Sequence, residues 1–275
     1  MAFVEYIKVI ILGIVQGITE FLPISSTGHL IVTSEALRFQ NSIDGTFEIF
    51  IQLGSVLAVV LFYRSELLRQ VRTVATDKGV QRLWLAIVVA AIPAAVVGFL
   101  ARDFVKSVLY SSAVIGISLI VGGIVFIILE RRLKTTPGTE APVVKLEAIT
   151  LRQALAVGLV QVLALVPGVS RSGSSIFGGL LFGLNRPTAT AFSFFLSIPV
   201  LGGATVADLV LSLDQIAADQ IPMLLLGALV SMIVSLVAIG WLLRYVARNT
   251  FTAFGVYRIL AGALILALVA VGYLN

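Results

Sequence analysis

Two short polar segments interrupt an otherwise apolar chain, and the side chains able to do chemistry are gathered in them. The first runs from Gly13 through Gln16, Glu20, Pro23, Ser25, Ser26, Thr27 and Gly28 to His29. The second runs from Gly158 through Gln161 and Pro167 to Ser170, Arg171, Ser172, Gly173, Ser174 and Ser175. They align without a gap at an offset of 145, which sets Gly13 on Gly158, Gln16 on Gln161, Ser25 on Ser170 and Gly28 on Gly173. The same offset carries Phe47 onto Phe192 and Phe50 onto Phe195. Carboxylate, guanidinium, imidazole and hydroxyl groups are costly in hydrocarbon unless they line a cavity or hold a ligand. A duplicated pair of such segments is therefore the expected working site.

The residue types suggest roles. Gln16 and Glu20 are four apart and share one face of a helix. Glu20, at the mouth of the loop before Pro23, could bind a divalent cation or move a proton; alternatively it caps the next helix or pairs with Arg171. Ser25, Ser26 and Thr27 lead into Gly28 and His29, the single histidine of the chain. Such a run also N-caps a helix over 29–37. Three hydroxyls exceed the need of one cap, and His29 beside Ser26 and Glu20 suits proton transfer. Ser170, Arg171, Ser172 and Gly173 open a second short helix, whose N-terminus favours an anion. Arg171 adds a planar, permanently charged fork that matches phosphate oxygens, or else it snorkels or pairs with Glu20. Gly178, Gly179 and Gly183 read as packing glycines. Acid, base or metal-binding groups facing an anion cradle fit phosphoryl transfer or hydrolysis, and bulk apolar walls assign the phosphate to a lipid.

The elements that must position these groups are membrane helices. Of 275 residues, 59% are hydrophobic and only 12% charged, with a mean hydropathy of +1.09, which excludes a soluble enzyme and reads as a polytopic all-α membrane protein. The net charge of +5 does not call for nucleic acid, because most Lys and Arg fall in short loops between apolar runs. No cysteine is present, so disulfides and thiolate chemistry are excluded. The first apolar stretch lacks the basic leader of a cleavable signal peptide and runs straight into the polar motif. Long apolar runs at 47–63, 83–101, 112–129, 222–243 and 251–273 are expected spans, with 190–211 a sixth, interrupted by Pro199 and Gly202-Gly203. Regions 3–37 and 151–186 are broken by the motifs and are expected to be re-entrant helical hairpins.

Loop charge sets the orientation. Arg64, Arg69, Arg72, Lys78 and Arg82 lie in one connection. Arg131, Arg132, Lys134, Lys145 and Arg152 lie in a second, and Arg244 and Arg248 in a third. All three are expected to be cytoplasmic. The connection with Asp214 and Asp219 faces out, whereas that with Arg102, Asp103 and Lys106 is mixed. This walk is self-consistent only when both broken regions are hairpins. It gives one integral membrane domain: a first repeat over about 1–132, a linker over about 133–147 and a second repeat over about 148–275. Three crossings per half make the halves inverted repeats with facing hairpin tips.

At these residues the chain resembles the bacitracin-resistance type of undecaprenyl-pyrophosphate phosphatase. That family has a Glu/Gln-x-x-x-Glu motif, here Gln16 to Glu20, running into Pro-x-Ser-Ser-Thr-Gly-His, here Pro23 to His29. It also has Pro-Gly-x-Ser-Arg-Ser-Gly-x-Thr, here Pro167 to Ser175, with Ser175 where Thr is usual; Gln16 stands where many members have Glu. The resemblance spans the whole chain. It implies a multi-pass phosphatase of the bacterial plasma (inner) membrane that converts undecaprenyl diphosphate to the monophosphate carrier of cell-wall precursors and confers bacitracin resistance. It further implies support by a divalent cation, Mg²⁺ or Ca²⁺. Glu20, Ser26, His29 and Arg171 match residues implicated in catalysis. Ser26 is the expected nucleophile and Glu20 the expected metal ligand or base. His29 assists proton transfer and Arg171 binds the diphosphate, with Gln16, Ser25, Thr27, Gly28, Ser170, Ser172 and Gly173 around the substrate. The site is expected to open to the outer, periplasmic side. The partners are the polyprenyl diphosphate and membrane lipids, with self-association as a homodimer left open. The competing reading is a lipid-phosphate flippase or secondary transporter, since inverted repeats with paired hairpins are also a transporter architecture.

Overall fold

The computed structural model describes residues 2–39, 46–101, 104–109, 111–133, 146–212, 216–217 and 220–274. The expected linker, apart from Leu133, Leu146 and Glu147, lies outside the described residues, as do Arg102, Asp103, Asp214 and Asp219. Each long apolar run is a helix. In chain order these are α1 (Ala2–Thr19), α2 (Ser26–Ala36), α3 (Thr46–Phe62), α4 (Arg64–Thr73), α5 (Lys78–Leu100) and α6 (Ser112–Arg132). They continue as α7 (Leu151–Gln161), α8 (Arg171–Leu181), α9 (Arg186–Ser212), α10 (Ile221–Val246) and α11 (Thr252–Ala270). Five of them are long and apolar enough to cross a membrane, and six if α3 and α4 count as one broken span. The starts carry local signals. Asp77 accepts from the backbone N–H of Gly79 and Val80 at the head of α5, and Thr150 and Gln153 form a reciprocal capping box at α7.

Two details differ from the sequence reading. The basic connection after α3 is itself helical: α4 turns 69° away from α3. Its Arg69 pairs with Glu66 and reaches Asp77 at 3.7 Å and Glu147 at 2.9 Å, tying that surface together and holding the Glu66 carboxyl below its ordinary range. The sixth span is unbroken, since α9 runs through Pro199 and Gly202-Gly203. Packed neighbours in a membrane re-satisfy the backbone groups that a proline releases.

The same order occurs twice: a short hairpin (α1–α2, then α7–α8) followed by three long helices (α3, α5, α6, then α9, α10, α11). The halves interlock rather than sit side by side. Gly13 and Gly17 of α1 lie against the Gly227 and Ser231 carbonyls of α10, where a Cβ would stand 3.0 and 2.8 Å away. In the matching position of the other half, Gly158 of α7 lies against Ala90 of α5. Along α6 and α11, Gly116 meets Gly262 and Gly123 meets Gly255, so the two helices run antiparallel and touch through backbone. Small residues permit that approach where no hydrophobic force drives helices together in lipid. Hydroxyls add interhelical bonds, with Ser55 and Ser231 at 2.8 Å and Ser235 donating to the Gly17 carbonyl at 3.3 Å. A fully buried ion pair joins Arg186 at the head of α9 to Glu130 at the end of α6, and Glu130 also accepts the Phe251 N–H at 2.8 Å. This interlocking brings the two hairpin tips together.

Candidate active site

Each tip is a tight loop with the same irregular residue. Ser25 has φ 69° and Ser170 has φ 77°, although neither is glycine. A side chain in that region costs about 1–3 kcal/mol and persists only where the surroundings enforce it. The tips enforce each other: Ser172 Oγ, on the second hairpin, donates to the Leu22 carbonyl on the first at 2.9 Å. Ser170 Oγ accepts from the Gly173 N–H at 3.1 Å and so caps α8. Ser25 holds the equivalent N-cap position of α2 without a cap bond. Helix α2 begins at Ser26 rather than His29, which places the Ser26 and Thr27 hydroxyls in its first turn.

Glu20 is the hub. Its Oε2 accepts from Gln16 Nε2 at 3.0 Å and from Ser26 Oγ at 2.8 Å, and its Oε1 accepts from Arg171 Nη2 at 3.2 Å. The i, i+4 spacing on α1 makes the Gln16 contact, and the tight loop folds Ser26 back over the carboxylate. Arg171 crosses from the other hairpin. Its Nη1 donates to the Ser193 carbonyl of α9 at 3.1 Å, and its guanidinium lies 5.8 Å from the Phe21 ring centroid. Ser193 is itself fixed by a 2.6 Å bond to Ser175. A carboxylate that accepts from a serine hydroxyl is placed to take its proton, and the guanidinium beside it can meet developing anionic charge.

These groups open into a cavity of about 730 Å³ lined by Glu20, Ser25, Ser26, Thr27, Ser170, Arg171 and Gln161. Its walls are apolar: Ala91, Ala94 and Phe99 of α5, and Val200, Leu201 and Ala207 of α9. A larger cavity, about 880 Å³, lies under α4 near Tyr63, Glu66 and Phe195 and has none of the motif residues.

The structure therefore brings together Gln16, Glu20, Ser25, Ser26, Thr27, Ser170 and Arg171. Ser172, Gly28 and Gly173 support the tips instead. Gly28 is buried, with room for a Cβ only 3.1 Å from Ile115, and a Cβ at Gly173 would stand 3.3 Å from Arg258 Nη1. His29 points elsewhere. Its Nδ1 is 2.7 Å from the Ser25 carbonyl and its Nε2 2.6 Å from the hydroxyl of Tyr257, on whose ring it stacks; it is absent from the cavity lining. The imidazole one turn along α2 from Ser25 turns back to the loop and across to α11, not toward Glu20.

Sequence reasoning missed Arg258 and Ser193. Arg258 on α11 has no exposed surface. It donates to the carbonyls of Pro23 at 3.0 Å, Gly168 at 3.2 Å and Ser118 at 3.3 Å, thereby fastening both loops to α6. An arginine inside an apolar span is itself a functional signal, one present in the run 251–273. Ser193 carries no comparable signal, because a lone serine in a membrane helix is ordinary.

Fold and site together define a class: a multi-pass helical membrane protein in which two broken hairpins join a carboxylate, a serine and an arginine in one cavity with apolar walls. The chain matches the family described as bacitracin resistance protein BacA over residues 9–264, and it belongs to that family. It is 47% identical over 274 residues to a protein of Deinococcus radiodurans named undecaprenyl-diphosphatase, covering 98% of both chains. It is 42% identical over 276 residues to undecaprenyl-diphosphatase 1 of Burkholderia cenocepacia, covering 100% of this chain and 99% of that one. A third relative, the undecaprenyl-diphosphatase of Parvibaculum lavamentivorans, is 44% identical over 262 residues, 95% of this chain and 96% of its own.

Proposed function

We propose that this protein hydrolyses undecaprenyl diphosphate to undecaprenyl phosphate and inorganic phosphate in the bacterial inner membrane. The observation that carries the reading is the 2.8 Å bond from Ser26 Oγ to a Glu20 carboxylate that Arg171 also holds. In the first step the Ser26 Oγ–H proton passes to Glu20 as Oγ attacks the terminal phosphorus. The bond to the bridging oxygen breaks, and the polyprenyl phosphate leaves with that oxygen, taking the proton from Glu20 and restoring its carboxylate. In the second step water attacks the phosphorus of the phosphoserine as Glu20 takes a proton from it, and Glu20 passes that proton to Ser26 Oγ as the Oγ–P bond breaks and inorganic phosphate departs. Arg171 stabilises the terminal oxygens, aided by the N–H groups at the head of α8. The apolar walls of α5 and α9 take the first isoprene units. His29 acts through Tyr257 and the Ser25 carbonyl, holding the strained loop that presents Ser26.

The residues also fit a divalent cation. Gln16 Oε1 is a buried acceptor without a donor among the described residues, next to a carboxylate. Glu20 and Gln16 would hold Mg²⁺ or Ca²⁺ together with substrate oxygens, a sparse protein ligand set typical of Mg²⁺. The bound cation would neutralise diphosphate charge.

Two orientational readings accompany this one. The halves are inverted repeats, supported by the repeated element order and the antiparallel α6–α11 seam. The cavity opens to the periplasm, supported by its lining from the C-terminal halves of α5 and α9. The basic residues of α4, and those at the ends of α6 and α10, lie at the opposite helix ends. The deciding experiment is phosphate release by the purified protein in detergent with a polyprenyl diphosphate. Hydrolysis needs no sidedness, so phosphate is expected. A lipid flippase or transporter would release none.

A further inference from the structure

We infer that Gln161 is a direct diphosphate-binding residue, donating its amide N–H to a substrate phosphate oxygen. Gln161 is the repeat mate of Gln16 but lives in a different environment. In the first hairpin the Gln16 amide N–H is occupied by the carboxylate four residues on, Glu20. In the second hairpin the residue four on is Leu165, so Gln161 has no such acceptor. The consequence is visible: Gln161 is 1% exposed, and neither its Nε2 nor its Oε1 has a hydrogen-bond partner among the described residues. A buried amide left unpaired is costly and is retained where a ligand completes it. Gln161 lines the same cavity as Glu20, Ser26 and Arg171, at the end of α7, which leads into the loop before Arg171. Rotation about its side-chain bonds turns the amide from the wall into the cavity. The N–H then meets a phosphate oxygen, and the carbonyl oxygen accepts from a water on the same substrate. Its mate Gln16 orients the base, whereas Gln161 holds the anion, so one duplicated glutamine has divided into two tasks.

This inference rests on the phosphatase reading, and the test separates the two. Wild type, Gln161→Leu and Gln161→Glu are purified in detergent with Mg²⁺. Each is assayed for phosphate release from a polyprenyl diphosphate and for thermal stabilisation by inorganic pyrophosphate. Leucine has nearly the same volume and no unpaired polar atom, so the ligand-free Leu variant should melt no lower than wild type. Its kcat/KM should fall about ten- to a hundredfold, the worth of one charge-assisted hydrogen bond, and its pyrophosphate-induced shift should shrink. Glu should fall further, because a carboxylate repels the diphosphate. Wild-type kcat/KM and an undiminished shift in the Leu variant overturn the proposal. So does a Leu variant that does not fold, since an unpaired amide has no structural bond to lose, and so does a Glu variant that behaves as wild type. If wild type releases no phosphate, the phosphatase reading fails on its own, and the pyrophosphate shifts still decide the role of Gln161.

Discussion

Replacing Arg171 with alanine should do two separable things, because the guanidinium is both an anion donor and the counter-charge of Glu20. The pair is buried, with side chains 11% and 5% exposed, and the contact is 3.2 Å. Breaking such a pair from one side costs about 3–5 kcal/mol, since it strands the remaining charge. Against a total stability of about 5–15 kcal/mol, Arg171→Ala should reach the membrane in reduced amount and melt early. Adding Glu20→Gln removes the stranded charge and should return most of the stability. It should return no activity, because base and anion donor are both gone. Arg171→Lys keeps the charge but cannot span Glu20 and the Ser193 carbonyl together. Losing one charge-assisted bond costs about 1.5–3 kcal/mol, or roughly one to two orders of magnitude in kcat/KM. The Lys variant should therefore lie between wild type and alanine. The assay is phosphate release per folded molecule, with melting followed in parallel. Wild-type turnover per folded molecule in Arg171→Ala, or in the double variant, would show that Arg171 serves only to neutralise Glu20.

Arg258→Met should destabilise strongly, because it leaves the loop carbonyls of Pro23 and Gly168 unpaired at about 1–3 kcal/mol each; a wild-type melting temperature would contradict its role as a clamp. Exhaustive chelation should abolish phosphate release, with Mg²⁺ restoring it, and full activity without the cation would remove the metal from the mechanism. Reporters after Asn275 and within 212–220 should read periplasmic and one within 135–142 cytoplasmic; a cytoplasmic signal at Asn275 would reverse the orientation.

The fold was legible because lipid simplifies the code. Every expected span corresponds to a helix with ends within a few residues, since length and apolarity alone decide a crossing. That Glu20 meets Ser26 and Arg171 was legible because a charge inside hydrocarbon needs a partner. What escaped is what depends on contact between distant segments. His29 looks from its position like a partner of Ser26, yet Tyr257, 228 residues along the chain, claims its Nε2. Arg258 has no neighbour in sequence that reveals the four carbonyls it meets, all on other elements. Pro199 looked like an interruption because local propensity expects a break, and packing in the bundle overrides it.

The pairing of α1 with α10 has a consequence for biogenesis. Gly13 and Gly17 are shaped for Gly227 and Ser231, segments made roughly 210 residues later. At about 5–20 residues per second, the first hairpin waits on the order of ten to forty seconds for its mate. For roughly the first two-thirds of that interval Arg171 has not been made, and Glu20 lacks its counter-charge. The nascent protein thus carries a charged loop through the membrane-insertion machinery before all the helices that will shelter it exist. Truncated chains ending before α10 should consequently be held by that machinery or degraded, and the second half, supplied as a separate polypeptide, should rescue them.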